Sequence, residues 1–280
     1  MDTSHTIASL VERFSDQLWK PGTHKNSSIG FLIELADIKR DAFSNFEASY
    51  YSELADELAK RGDKNATINR KLSALQKLLR KAQEEKLVPN VPVFKRRTED
   101  REEVRILTIA EELSLFKALS ERSSDHRDFA LFLIDTGVKP GEAIALRWES
   151  VFAGQFHIPV SNMGLARTLP LTARLKEMLH RREVENQGPF RRIDMQQFRL
   201  TLQTVKADIG LGDDKNIVST TLRHTCACRM IMQGVNLRLV QHWLGLRNHK
   251  SMARYEKFAK LDSFELCVKA LENFSGEVRA

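Results

Sequence analysis

The chain has 280 residues, of which 42% are hydrophobic and 29% charged, enough for two ordinary globular domains. No run of about 18 apolar residues occurs, so no membrane span is expected, and MDTSHTIASLVERF lacks a basic stretch followed by an apolar one, so no secretory signal is expected. The net charge of +7 is unevenly spread: residues 1–59 carry 5 Lys/Arg against 10 Asp/Glu, residues 60–97 carry 12 against 3, and residues 98–280 carry 27 against 24. A net +9 within 38 residues fits a surface that meets a polyanion, although a solvated lysine-rich helix gives the same pattern.

In chain order, Ile7, Leu10, Val11, Phe14 and Leu18 recur at helical spacing and predict a helix over 4–20. The stretch WKPGTHKNSS (19–28) reads as a loop by composition. Residues 29–60 predict one or two helices, with Phe31, Leu32, Leu35, Ile38, Phe43, Phe46, Leu54 and Leu58 as core candidates. The next helix, 65–86, carries the stripe Ile68, Leu72, Leu75, Leu78, Leu79 and Ala82, with Asn65 as its expected cap. Arg70, Lys71, Lys77, Arg80 and Lys81 fall mostly off that stripe. This helix can therefore bury one side and present cations on another. Two prolines and dense charge in 87–105 predict a connection between domains, including Lys95, Arg96 and Arg97. The division expected is 1–90, a linker at 91–105, and 106–280.

The second half opens with LTIAEELSLFKAL (107–119), where Thr108 and Glu111 have capping-box spacing. Helices follow at 126–137, ended by Gly137, and at 141–148. QFHIPV (155–160) and ARTLPLT (166–172) predict short strands joined by SNMGL. Helices are then expected over 195–211, 221–234, 235–245 and 262–274. The last has Asp262 and Glu265 at cap positions and Phe264, Val268, Leu271 and Phe274 as apolar residues, which can dock on a neighbouring protomer or on their own domain.

Several chemistries lack their motifs. There is no G-x-x-x-x-G-K-[ST] loop and no G-x-G-x-x-G after a strand, so no nucleotide cofactor is expected. There is no G-x-S-x-G elbow. Cys226, Cys228 and Cys267 are too few for a disulfide framework and suit a reducing compartment. The pair Cys226 and Cys228 reads as small buried helix residues rather than metal ligands, and His242 and His249 as ordinary surface or packing residues. No metal and no other cofactor are expected.

TGVKPGEAIALRW (136–148), ARTLPLT (166–172), LRHTCACRMIMQGVNLRLVQHWLG (222–245) and ARYEKF (253–258) resemble, in order, the successive motifs of the tyrosine recombinases, the phage-integrase family. ATINRKLSALQKLLRKAQEEKLV (66–88) resembles the last helix of that family's core-binding domain. The resemblance implies a helical DNA-binding domain followed by a mainly helical catalytic-type domain with a small antiparallel sheet, closing as a clamp on duplex DNA. It implies no external energy source: a tyrosine attacks a backbone phosphate, and the phosphotyrosyl link stores the bond. Two arginines clamp the phosphate oxygens, a hairpin lysine protonates the leaving 5′ oxygen, and two further residues, histidines or histidine and tryptophan, assist.

Carried over by position, Tyr255 is the nucleophile, Arg223 the second clamp arginine, and Lys139 stands where the first arginine is usual. Asn162 falls near the hairpin-lysine position, Thr220 replaces the histidine three residues before Arg223, and Leu246 replaces the histidine or tryptophan after Leu244. His224, His249 and Lys250 are the nearby groups that can substitute for a missing donor. The expected function is site-specific recombination or integration through Tyr255 with weak or altered catalysis. The alternative is an inactive recombinase-fold protein with an architectural or regulatory role. Double-stranded DNA is the expected partner, contacted by Arg70, Lys71, Lys77, Arg80, Lys81, Lys95, Arg96 and Arg97. An oligomer on DNA and a cytoplasmic location, on the nucleoid or encoded by a phage or mobile element, complete the expectation.

Overall fold

The computed structural model describes residues 4–99, 103–161, 164–182 and 187–259. The chain divides into two compact units, residues 1–102 and 103–280. The first holds α1 (Ile7–Leu18), α2 (Thr23–Ile38), α3 (Ala48–Lys60) and α4 (Asn65–Glu84), with α4 packed on the other three. The helical stripes read from the sequence make its core: Ile7, Leu10 and Phe14 of α1 meet Leu32, Leu35, Leu54, Leu58 and the α4 stripe. Each such side chain, fully buried, contributes roughly 1.5–3 kcal/mol of transfer free energy.

Two local readings change. The helix α2 begins at Thr23, so the loop is limited to 19–22, where Gly22 has φ 139°. The polar run THKNS forms exposed or half-exposed first turns of a helix, and composition reports exposure rather than backbone conformation. At α4 the cap position belongs to Lys64, with no side-chain cap; Asn65 is the first helical residue, and its Nδ2 donates to the Thr98 carbonyl at 2.8 Å. The extended chain after α4 belongs to this unit as far as described: Val88 and Phe94 are buried in its core, and the Asn69 amide exchanges hydrogen bonds with the Arg97 backbone at 2.8 and 2.9 Å.

The second unit is built on α6 (Ser124–Thr136). Its run Phe129–Ile134 is buried on every side, as a helix apolar all round must be. Around it pack α5 (Ile109–Arg122), with the expected Thr108–Glu111 capping box, and α8 (Ala173–Arg182) and α10 (Ser219–Met232). The helices α7 (Pro140–Ala145), α9 (Met195–Asp208) and α11 (Leu237–Trp243) complete the helical part. A three-stranded antiparallel sheet runs β1 (Val151–Phe152), β2 (Gln155–Ile158), β3 (Arg167–Pro170). The register pairs Phe156 with Leu169 and Ile158 with Arg167, and these four point inward while Gln155 and His157 are less buried. The mainly helical fold with a small antiparallel sheet is therefore the one expected. No periodicity marks β1, only two residues long, or α8, whose ten residues bury only Leu175, Met178 and Leu179. The helix expected over 262–274 lies outside the described residues.

Candidate functional site

A second buried cluster, apart from the α6 core, joins α10, α11 and the chain after them, and Tyr255 is part of it. The helix α6 stops at Gly137, whose φ of 63° is left-handed; a Cβ there would stand 2.8 Å from the Leu244 side chain. The chain then reaches Lys139, whose backbone N–H donates to Glu142 at 2.9 Å across the start of α7. Pro140 at the first helical position presets that turn.

Arg223 lies on α10 and is 8% exposed. Its guanidinium donates to the carbonyls of Gly137 and of Leu244, the latter at 2.8 Å. One side chain thus ties the turn after α6 to the end of α11 and keeps further N–H donors for other oxygens. Trp243 braces the same join by donating Nε1–H to the Thr136 carbonyl at 2.8 Å.

Arg167 enters from β3 and forks onto Glu142, with Nη2–Oε2 at 2.7 Å and Nη1–Oε1 at 3.2 Å, both side chains nearly buried. Gly245, at φ 66°, makes room for it: a Cβ there would come within 2.5 Å of Arg167 Nη1. The Leu165 N–H donates to the Gly245 carbonyl at 3.1 Å, and Arg247 Nη2 donates to the Ser161 carbonyl at 2.8 Å, so the hairpin is held to the segment after α11 at both points. Burial alone would raise the Glu142 carboxyl, but the Arg167 hydrogen bonds and the Lys139 N–H outweigh it and hold the group below its ordinary value. Burial lowers the Lys139 ammonium; Glu142 opposes this, while Arg223, Arg167 and Arg247 push it further down. These four cations and one carboxylate share one corner of the unit, an electropositive site suited to a phosphate.

Tyr255 is 2% exposed, and its hydroxyl lies 2.7 Å from His224 Nδ1. Burial pushes the phenol up to about 12, against the opposing Arg223 and Arg254. Burial, with Arg254 and Arg223, pushes the His224 imidazole down to about 4. Both groups are therefore neutral at neutral pH.

Arg223 thus lies within electrostatic reach of both Tyr255 and Lys139. Thr220 is exposed on the first turn of α10, and Leu246 is half-buried against the Tyr255 cluster. His249 is exposed and bonds Gln241 at 3.1 Å, and Lys250 is exposed in the same short turn, His249–Met252. Of the three candidate substitutes, His224 is the one in contact with the tyrosine. Asn162 lies outside the described residues. Cys226 and Cys228 are buried on α10, each thiol pushed up by burial to about 12. Glu142, Arg167 and Arg247 are not marked as site residues by the sequence. The first two sit inside stretches already quoted, and the three-residue spacing of Lys139 and Glu142 was the available signal.

In the first unit, Arg70, Lys77, Arg80, Lys95 and Arg96 are exposed. A groove of about 510 Å3 between α2 and α4 is lined by Trp19, His24, Arg70, Lys77 and Arg96 among others. Lys77 lies over the Trp19 ring at 4.8 Å and donates to the Leu18 carbonyl at 2.6 Å. Lys81 pairs with Glu85 at 2.7 Å, and Arg97 is half-buried and pairs with Asp56. Lys71 departs from the expected exposed set. It is 5% exposed, with Nζ 2.7 Å from Glu34 and 2.6 Å from Asp63. Two carboxylates neutralise its charge inside the unit, so it is not presented to a partner.

The fold of the chain is shared by DNA-bound integrases. A lambda integrase dimer bound to a COC′ core site superposes with TM-score 0.73 at 16% identity, covering 90% of this chain and 77% of that one. A Tn1549 transposon integrase with a circular intermediate DNA gives 0.76 at 16% identity, covering 95% and 99%. Residues 96–261 match the model of the phage integrase family, and the chain belongs to that family. It is 24% identical over 259 residues to the integrase of Escherichia phage P2, covering 90% of this chain and 74% of the relative. A tyrosine recombinase of Pseudothermotoga lettingae is 26% identical over 254 residues, covering 86% and 85%. The class is that of DNA-binding proteins of site-specific recombination and integration.

Proposed function

We propose that the chain binds duplex DNA through Arg70, Lys77, Arg80, Lys95 and Arg96 and cuts it slowly through Tyr255. The observation that carries this reading is the convergence of Tyr255, Arg223 and Lys139 in the motif order of the family. In the reaction, Arg223 and Lys139 neutralise charge developing on the phosphate oxygens while the Tyr255 hydroxyl forms the phosphotyrosyl bond. Lys139 is a point charge without the planar fork of arginine, and Leu246 offers no donor, so each lost contact slows the step. The relatives seen as a dimer and as a tetramer on DNA support an assembly of several copies on the target. A phage-encoded relative supports a phage or mobile-element origin and action on DNA in the cytoplasm.

A second reading, binding without cleavage, draws on the burial of Tyr255. A duplex with a nick beside the cleavage point separates the two, because loss of the freed end traps the covalent adduct. Slow accumulation of adduct is expected, none with Tyr255→Phe, and none at all with the parent under the second reading. Lys139→Arg restores the fork, and it is expected to raise the adduct rate about 10-fold, the worth of one charge-assisted bidentate contact. An unchanged rate would remove Lys139 from the phosphate clamp.

A further inference from the structure

We propose that His224 accepts the Tyr255 proton in the cleavage step, taking over from α10's next residue but one after Leu222 the work that the family pattern assigns to residue 220. The proposal rests on the reading of Tyr255 as the nucleophile. Thr220 is exposed on the first turn of α10, whereas His224, one turn later, has Nδ1 2.7 Å from the Tyr255 hydroxyl. That is hydrogen-bond reach for direct proton transfer; Tyr255 is buried in the cluster with Ile231, Val240, Leu244 and Met252, and His224 beside it is half-buried. In the tautomer with its proton on Nε2, the Nδ1 lone pair faces the phenol and the phenol donates.

The step balances without any further reactant. The phenol oxygen bonds to phosphorus, and the bond from phosphorus to the 5′ oxygen breaks with its electron pair on that oxygen. The phenol proton passes to Nδ1, and the 5′ oxygen takes a proton from the Lys139 ammonium or from water. Rejoining reverses each transfer. Before DNA arrives, the charged groups facing the pair are Arg223 and Arg254, with the neutral thiols of Cys226 and Cys228 beside the phenol. Two cations and burial keep the imidazole unprotonated and the phenol protonated, so the nucleophile is idle. A phosphate held by Arg223 brings negative charge beside the imidazole and offsets those cations, which favours proton uptake when substrate is present.

The test uses the full chain on the nicked duplex, with His224→Ala and His224→Asn. Asparagine can hold the tyrosine by a hydrogen bond but does not take a proton. Both variants are expected to bind DNA as the parent does and to form adduct about 100-fold more slowly, the low end of a lost acid–base group. Imidazole in the buffer is expected to restore part of the rate to His224→Ala. A His224→Asn variant that binds DNA and forms adduct within about 3-fold of the parent would overturn the inference, since a hydrogen bond alone would then suffice. If the parent itself forms no adduct, the cleavage reading fails first and this inference falls with it.

Discussion

Replacing Arg70, Lys77 and Arg80 by glutamate is expected to weaken duplex binding about 100- to 1,000-fold and to lower the salt slope by about 3, one unit for each lost phosphate contact. The three side chains are exposed on α4, two of them line the groove against α2, and the segment 60–97 holds most of the chain's excess positive charge. Cations of this kind bind by releasing counterions, so their loss shows in the salt dependence as well as in affinity. The built-in contrast is Lys71. Its ammonium is raised above its ordinary value even though burial lowers it, because Asp63 and Glu34 hold it charged. Lys71→Met should therefore cost stability while leaving the affinity of the folded protein unchanged. Equal binding by the parent and the triple variant, measured as affinity against salt concentration, would remove α4 from the interface.

The second large effect concerns stability. Glu142→Ala is expected to destabilise the second unit by about 3–5 kcal/mol, the usual result of stranding one member of a buried ion pair. Arg167 would remain nearly buried with the Leu165 carbonyl as an acceptor, its Nε having no hydrogen-bond partner among the described residues. The Lys139 N–H would also lose its acceptor at the start of α7. Because Arg167 joins the hairpin to the segment holding Gly245, the loss should also loosen the site. Thermal or urea unfolding of the variant reads this directly. Glu142→Gln keeps one acceptor oxygen and so only part of these hydrogen bonds, and it should lose less than the alanine variant. A Glu142→Ala variant within about 1 kcal/mol of the parent would mean that the pair is not a structural join.

How much of this was legible in the sequence differs by scale. Long periodic stripes such as Ile68–Ala82, and caps such as Thr108 with Glu111, reappear as α4 and α5 because one helix can satisfy them locally. The strand β1 and the helix α8 escaped, since two residues carry no period and α8 shows only three buried side chains among charges. At the site, the order of motifs pointed to Tyr255, Arg223 and Lys139, but spacing along a helix did not reveal contacts between elements. The bond from His224 to Tyr255 spans 31 residues, and that from Arg167 to Glu142 spans 25. Lys71 shows the converse: a cation off the apolar stripe predicts a surface position, and the carboxylates of Glu34 and Asp63 explain its burial.

The proposed function stands on a covalent bond from Tyr255 to DNA. Long incubation with a nicked duplex, followed by proteolysis and mass spectrometry, finds the residue that carries the nucleotide. A nucleotide is expected on the peptide containing Tyr255, and no such peptide from Tyr255→Phe. Tight duplex binding with no nucleotide attached to any tyrosine would contradict it.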